Sequence, residues 1–349
     1  MKQPLEVLRG AVRSVRRWFG GVRWPAGAAL KIPGGGRLWI TLLSNGRQLV
    51  QLRPDPQGWR WLLLGVGVSL LSLVVNGLAW QVVLRWLRLR PHGEALVTLF
   101  IATNLRKYLP GGIWHLTSRV QALRAGATNL MPPTGTGMAL VAVLVEPLLA
   151  AVAALALVPV GGWQRGLALL CLLPLGLLLP RWLQPLLGRL ESKRARELGL
   201  EGALAGEGEG ALNPVLRGYP WGPLLAELSF VLTRFAGFAC CVGAFDLTAA
   251  VDWGTWLAGF GLAWTVGLVV PGAPGGFGVF ETVLLLRLAQ DLDEPALLAV
   301  ALSYRLVTTL ADLLGAGLVN LDQRLRLRLA PRETAAAGPG DDTSSSPSQ

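Results

Sequence analysis

From residue 253 the chain runs apolar into Pro271, Gly272, Pro274, Gly275 and Gly276, and a helical pattern resumes at Phe277 with Glu281 in its second turn. Proline lacks a backbone donor and glycine is too permissive to hold a helix, so this stretch ends one helix and starts another. In hydrocarbon, broken backbone is tolerated only where protein or a water-filled cavity satisfies its polar groups. Two readings fit. One is a re-entrant break of the kind that builds transport sites near the bilayer midplane. The other is a tight turn between two ordinary spans at the membrane surface.

A second copy of the pattern lies in the first half of the chain. Pro110-Gly111-Gly112-Ile113 repeats Pro274-Gly275-Gly276-Phe277, and Leu116 takes the place of Phe280. Each copy follows an apolar run and precedes a short helical segment. Two corresponding Gly/Pro-interrupted segments, one per half, point to an inverted repeat.

The setting of these breaks is apolar throughout. Of 349 residues 52% are hydrophobic and only 15% charged, with a mean hydropathy of +0.48, the balance of an integral membrane protein. The net charge of +11 then points to anionic lipid as the counter-charge and away from nucleic acid. Trp59, Trp61, Trp80, Trp86, Trp163, Trp182, Trp221 and Trp253 fall near the ends of apolar runs, as interfacial tryptophans do.

Residues 1–60 form a basic N-terminal region, with eleven Arg and Lys against Glu6 and Asp55. Leu5, Leu8, Val12, Val15 and Phe19 recur at helical spacing, which suits an amphipathic helix lying on an anionic leaflet; a nucleic-acid arm is the alternative. Residues 38–52 are too short and polar for a clear span, which needs about 20 apolar residues. The apolar runs are 61–84, 96–109, 137–158, 167–183, 221–247, 253–270, 277–288 and 295–321. Glu146-Pro147 interrupts the third, and Pro174 and Pro180 are placed to kink the fourth. Residues 188–218 read as a short surface helix and a polar loop. The expectation is an all-α polytopic membrane helix bundle over residues 61–322, with seven or eight membrane segments, two of them broken or re-entrant. A basic and then disordered tail follows over 323–349, and Arg324, Arg326, Arg328 and Arg332 place it in the cytoplasm.

Charges at membrane depth are costly and are functional candidates by default. Glu227 and Arg234 are seven residues apart, as are Arg305 and Asp312, so each pair shares a helix face over two turns. These four are expected to point into the bundle and pair across helices, either as fixed struts or as part of a site. Glu146 and Glu281 lack a near partner in sequence, and Arg106, Lys107, Arg119 and Arg287 are available to supply one or to bind a lipid phosphate. His115 suits hydrogen bonding at the first break. With only 2 His, nothing points to a metal, and no P-loop, GxSxG, HExxH or aspartate-rich diphosphate motif points to a cofactor or an enzyme.

Three stretches carry a family likeness: Y-L-P-G-G-I-W-H-L-T-S-R at 108–119, P-G-A-P-G-G-F-G-V-F-E at 271–281, and S-Y-R at 303–305. Over residues 60–322 the chain resembles the lysylphosphatidylglycerol synthase transmembrane (flippase-like) family. It departs from the family at 113–115, where Ile-Trp-His stands in place of a glycine and glutamate, and in its weak first span at 38–52. The resemblance implies a stand-alone membrane module without the aminoacyl-transfer domain, and so lipid handling rather than lysyl transfer. Its expected role is binding and translocating an anionic or glycosylated lipid between leaflets of the plasma or inner membrane. The expected lipid-binding residues are Arg106, Lys107, Gly111, Gly112, His115, Arg119, Gly275, Gly276, Glu281 and Arg305. Helix starts after the two breaks would offer free backbone donors to a lipid phosphate. The alternatives are a membrane-embedded transferase with a lipid-linked donor, and a scaffold for a lipid-synthesis enzyme.

Overall fold

The computed structural model describes residues 54–109, 114–126, 130–162, 167–198, 218–270 and 276–329. The N-terminal helix at 5–19, the segment at 38–52, both Gly/Pro breaks up to residues 113 and 275, the loop from 199 and the tail from 330 lie outside the described residues. Those described are 82% helical and contain no strand.

The first long helix, α1 (Pro56–Trp86), starts where Asp55 accepts from the Gly58 amide at 2.5 Å and a proline occupies the first helical position. Two short helices follow: α2 (Gly93–Asn104), extended by a 3₁₀ turn (Leu105–Tyr108), and α3 (Trp114–Ala125). The central helix, α4 (Thr136–Leu157), runs straight through the expected interruption, with Pro147 inside it. Pro147 removes one donor from the ladder, and close by the Trp80 indole donates to the Ala142 carbonyl at 2.9 Å. Short turns α5 (Leu167–Leu170) and α6 (Leu173–Leu177) precede α7 (Pro180–Leu198). The axis bends by 85° between 177 and 180, so Pro180 starts a new helix and the fourth apolar run is not one straight span. Then come α8 (Trp221–Gly243), α9 (Trp253–Val269), α10 (Val279–Leu288) and α11 (Glu294–Leu329). α11 outruns its expected end at 321, so Arg324, Arg326 and Arg328 sit on helix; Arg326 pairs with Asp322 at 2.8 Å and with Glu94 of α2 at 2.5 Å.

Four of these helices are long and apolar enough to cross a membrane: α1, α4, α8 and α11. The bent α5–α7 stretch makes a fifth if it is counted as one span, so the expected seven or eight is not confirmed. The difference has a simple origin. α2, α3, α9 and α10 are 12, 12, 17 and 10 residues long, and at about 1.5 Å per residue each falls short of a hydrocarbon core of about 30 Å. The sequence count took each of these short runs as a membrane segment.

Leu64, Leu71 and Leu78 on α1, Leu225 and Leu232 on α8, and Leu306 and Leu313 on α11 recur at seven-residue spacing and are all exposed. Leucine stripes of that length belong against lipid. Small residues instead line the crossing of α1 and α8. A Cβ on Gly237 would lie 2.7 Å from Ser69 Oγ, and one on Gly65 would lie 3.2 Å from Cys240 Cβ. α4 is the most enclosed span, with 72% of its apolar window buried against 44–56% for the others, which places it at the centre.

Two apolar cores result. One joins Trp80, Phe100 and the alanine face of α4; the other stacks Phe238, Phe260, Phe280 and Tyr304 with ring centroids 5.2–6.3 Å apart. Trp80 is therefore a core residue and not an interfacial one. Trp59, Trp61, Trp182, Trp221 and Trp253 are exposed at helix ends, where an interfacial ring can sit.

Candidate functional site: charges buried between the spans

Eight charged side chains meet inside the bundle: Lys107, Arg119, Arg234 and Arg305 against Glu146, Glu227, Glu281 and Asp312. They fall into three groups.

The first centres on Asp312 of α11, which is 1% exposed. Lys107 Nζ lies 2.8 Å from its carboxylate, Tyr108 OH donates at 2.6 Å and Asn104 Nδ2 at 2.8 Å. The end of α2 and its 3₁₀ turn bring all three donors to one acid. Arg234 of α8 faces the same acid electrostatically and donates to Ser72 Oγ of α1 at 3.1 Å.

The second group is built on the C-terminal break. Glu281, fully buried in the first turn of α10, accepts from the Gly278 amide at 2.8 Å and from Arg305 Nε at 3.0 Å. Arg305 also donates to the Gly276 carbonyl at 3.1 Å. Irregular backbone buried between apolar helices needs partners, and one Arg–Glu pair supplies both a donor and an acceptor to it. Gly276 has φ +72°, and a Cβ there would lie 3.0 Å from the Gly267 carbonyl oxygen on α9. Its glycine is thus required by conformation and by the approach of α9.

The third group surrounds Arg119 of α3, which is 2% exposed. Its guanidinium lies 3.6 Å from Glu146 of α4, donates to Thr103 Oγ1 at 3.1 Å, and sits 3.7 Å over the Phe100 ring. Glu227 of α8 is fully buried, and among the described residues neither of its carboxylate oxygens has a hydrogen-bond partner. The charges that act on it electrostatically are Glu146 and Arg119.

The expected pairing among Glu227, Arg234, Arg305 and Asp312 is not the one found. All four point inward, as the seven-residue spacing requires, but among the described residues none is within ion-pair distance of another of the four. Arg305 takes Glu281, and Asp312 takes Lys107. Shared helix faces set direction, while the partner depends on which helix lies opposite. Arg106 also separates from Lys107 and Arg119: it is exposed and donates to Ser118 Oγ. His115 is half-buried in the first turn of α3. Gly111, Gly112 and Gly275 lie outside the described residues.

Asn104, Tyr108, Thr103 and Ser72 escaped the sequence reading. A polar residue at the end of an apolar run was the available signal, since Asn104, Lys107 and Tyr108 stand at helical spacing. Among the described residues no group of three or more His, Cys, Asp and Glu is placed to hold a metal. No family model matches the chain, and no curated protein matches it.

Proposed function

We propose that the chain is a lipid-handling membrane module that binds and translocates a phospholipid or lipid-linked headgroup. One observation carries this reading. In two of the buried pairs the acid is sealed and the cation is not: Asp312 and Glu281 side chains are 0% exposed, while Lys107 and Arg305 side chains are 21% and 19% exposed. A structural strut needs neither end open. A cation held by a sealed acid, with one edge exposed, is suited to exchange contacts with a phosphate oxygen. Both cations sit beside Gly/Pro breaks, and α2/α3 and α9/α10 are two corresponding pairs of helices too short to cross alone.

In this reading the phosphate engages Lys107 and Arg305 while its tails stay in the bilayer. Gly111, Gly112, His115 and Gly275 keep the lipid-binding role that the family likeness implies for them, and Arg119 braces the interior behind the two cations. The family likeness of the two Gly/Pro motifs supports the same function, as does a net charge of +11 for attraction to an anionic leaflet. The proposed location is the plasma or inner membrane with the C-terminus cytoplasmic.

The test is a liposome scrambling assay on the purified full chain with a panel of labelled lipids, anionic, zwitterionic and glycosylated. Faster exchange of at least one lipid than in empty liposomes, lost in Lys107→Met and Arg305→Met proteins that still fold, is the expected result. Exchange at the protein-free rate for every lipid would rule the reading out.

A further inference from the structure

Of the four acids the lipid reading leaves two unused, Glu146 and Glu227, and the surroundings of Glu227 are the less satisfied. Glu227 is 0% exposed, both its oxygens lack a donor among the described residues, and α1 brings uncharged Ser69 and Ser72 to α8 while its Asn76 faces Glu146. The charged groups that face it are Glu146 from α4 and Arg119 from α3. Lys107 reaches Glu146 electrostatically, and Asp312 of α11 faces Arg234, two turns further along α8. Thus two carboxylates share one guanidinium, and that guanidinium is already held by Glu146 at 3.6 Å, by Thr103 and by the Phe100 ring. A second ionised carboxylate with no donor is not tolerated in so dry a place, and the group neutralises instead.

We propose that Glu227 is a proton-binding site inside the membrane, and that Arg119 is a cation shared between Glu227 and Glu146. At rest Glu227 is the neutral acid and Glu146 the carboxylate paired with Arg119. When Arg119 turns to Glu227, the carboxyl proton leaves a Glu227 oxygen for a Glu146 oxygen, and the paired and protonated acids exchange places. One proton and one positive charge are conserved throughout. Glu146 is 6% exposed against 0% for Glu227, so the proton enters and leaves by Glu146. A metal ion is the poorer occupant: a hard cation needs several anionic oxygens, and here two carboxylates already share a cation. The use of such a site is coupling of a membrane process to proton movement. The site itself does not depend on the lipid reading, since its protonation is measurable whether or not any lipid moves.

The experiment is infrared difference spectroscopy of the purified full chain in lipid bilayers at neutral pH, in water and in deuterium oxide. The expected result is a protonated-carboxyl C=O band that shifts in deuterium oxide, is lost in Glu227→Gln, and is kept in Glu227→Asp. Glu146→Gln removes the competing acid, so Arg119 pairs with Glu227 and the band is lost there too, which a purely structural Glu227 would not cause. If Glu227→Gln fails to fold, Glu146→Gln decides the matter alone. A parent protein without the band, a band unchanged by Glu146→Gln, or a band that appears only when sodium is withdrawn overturns the proposal.

Discussion

Arg305→Met separates the two roles of the C-terminal latch. The change removes the donor to Glu281 Oε1 at 3.0 Å and the donor to the Gly276 carbonyl at 3.1 Å, and it leaves Glu281 fully buried with, among the described residues, only the Gly278 amide. Removing one partner of a buried pair costs about 3–5 kcal/mol, because the charge that remains is uncompensated. Glu281→Gln keeps an oxygen for the Gly278 amide, and Arg305, 19% exposed, can turn its head toward water, so about 1–2 kcal/mol is expected. The double variant Arg305→Met/Glu281→Gln has no stranded charge. It loses the charge-assisted hydrogen bond to the Gly276 carbonyl and should sit about 1–3 kcal/mol below the parent, above Arg305→Met alone. Reversible unfolding in mixed micelles, followed by helical circular dichroism, reads these differences as a double-mutant cycle. If the double variant is as unstable as Arg305→Met, the penalty is not the orphaned carboxylate and the latch argument fails.

Gly276→Ala should lower stability by about 1–3 kcal/mol, since φ +72° disfavours a side chain and the Gly267 carbonyl stands 3.0 Å from the new Cβ; a thermal melt unchanged from the parent would contradict this. Gly237→Val should loosen the crossing of α1 and α8 by about 1–3 kcal/mol, because its Cβ would fall 2.7 Å from Ser69 Oγ, and cross-linking of cysteines placed on the two helices should fall with it. At the start of α9, the Thr255 hydroxyl and amide both donate to Asp252 and hold its carboxyl below the usual carboxylate range. A depressed folded value means that this cap stabilises above the unfolded carboxylate value and is lost as pH falls through the folded one; Asp252→Ala should flatten the acid side of the stability profile, read by melting at a series of pH values. Reporter fusions at the two termini should report the same side of the membrane, and opposite readings would refute an even number of crossings.

How far the chain could be read without its fold depended on the range of the forces involved. Helix positions follow local periodicity, so 61–84, 137–158 and 221–247 were legible as spans, and the end of α9 and the start of α10 were legible from proline and glycine chemistry. The inward direction of Glu227, Arg234, Arg305 and Asp312 was legible too, because a seven-residue spacing returns to the same helix face. The number of full crossings was less so: α2 and α10 are only 12 and 10 residues long, and the sequence count took such short runs as membrane segments. Partnership was not legible at all. Glu281 meets Arg305 across 24 residues of sequence, and Asp312 meets Asn104 across 208, because an ion pair or hydrogen bond is made by whatever the packing sets within about 3 Å. In the sequence Glu227 was expected to point inward and find a partner across helices. The tertiary structure left it beside a guanidinium already engaged by another acid, and an excess of carboxylate over cation at one place is a property of the assembled bundle alone.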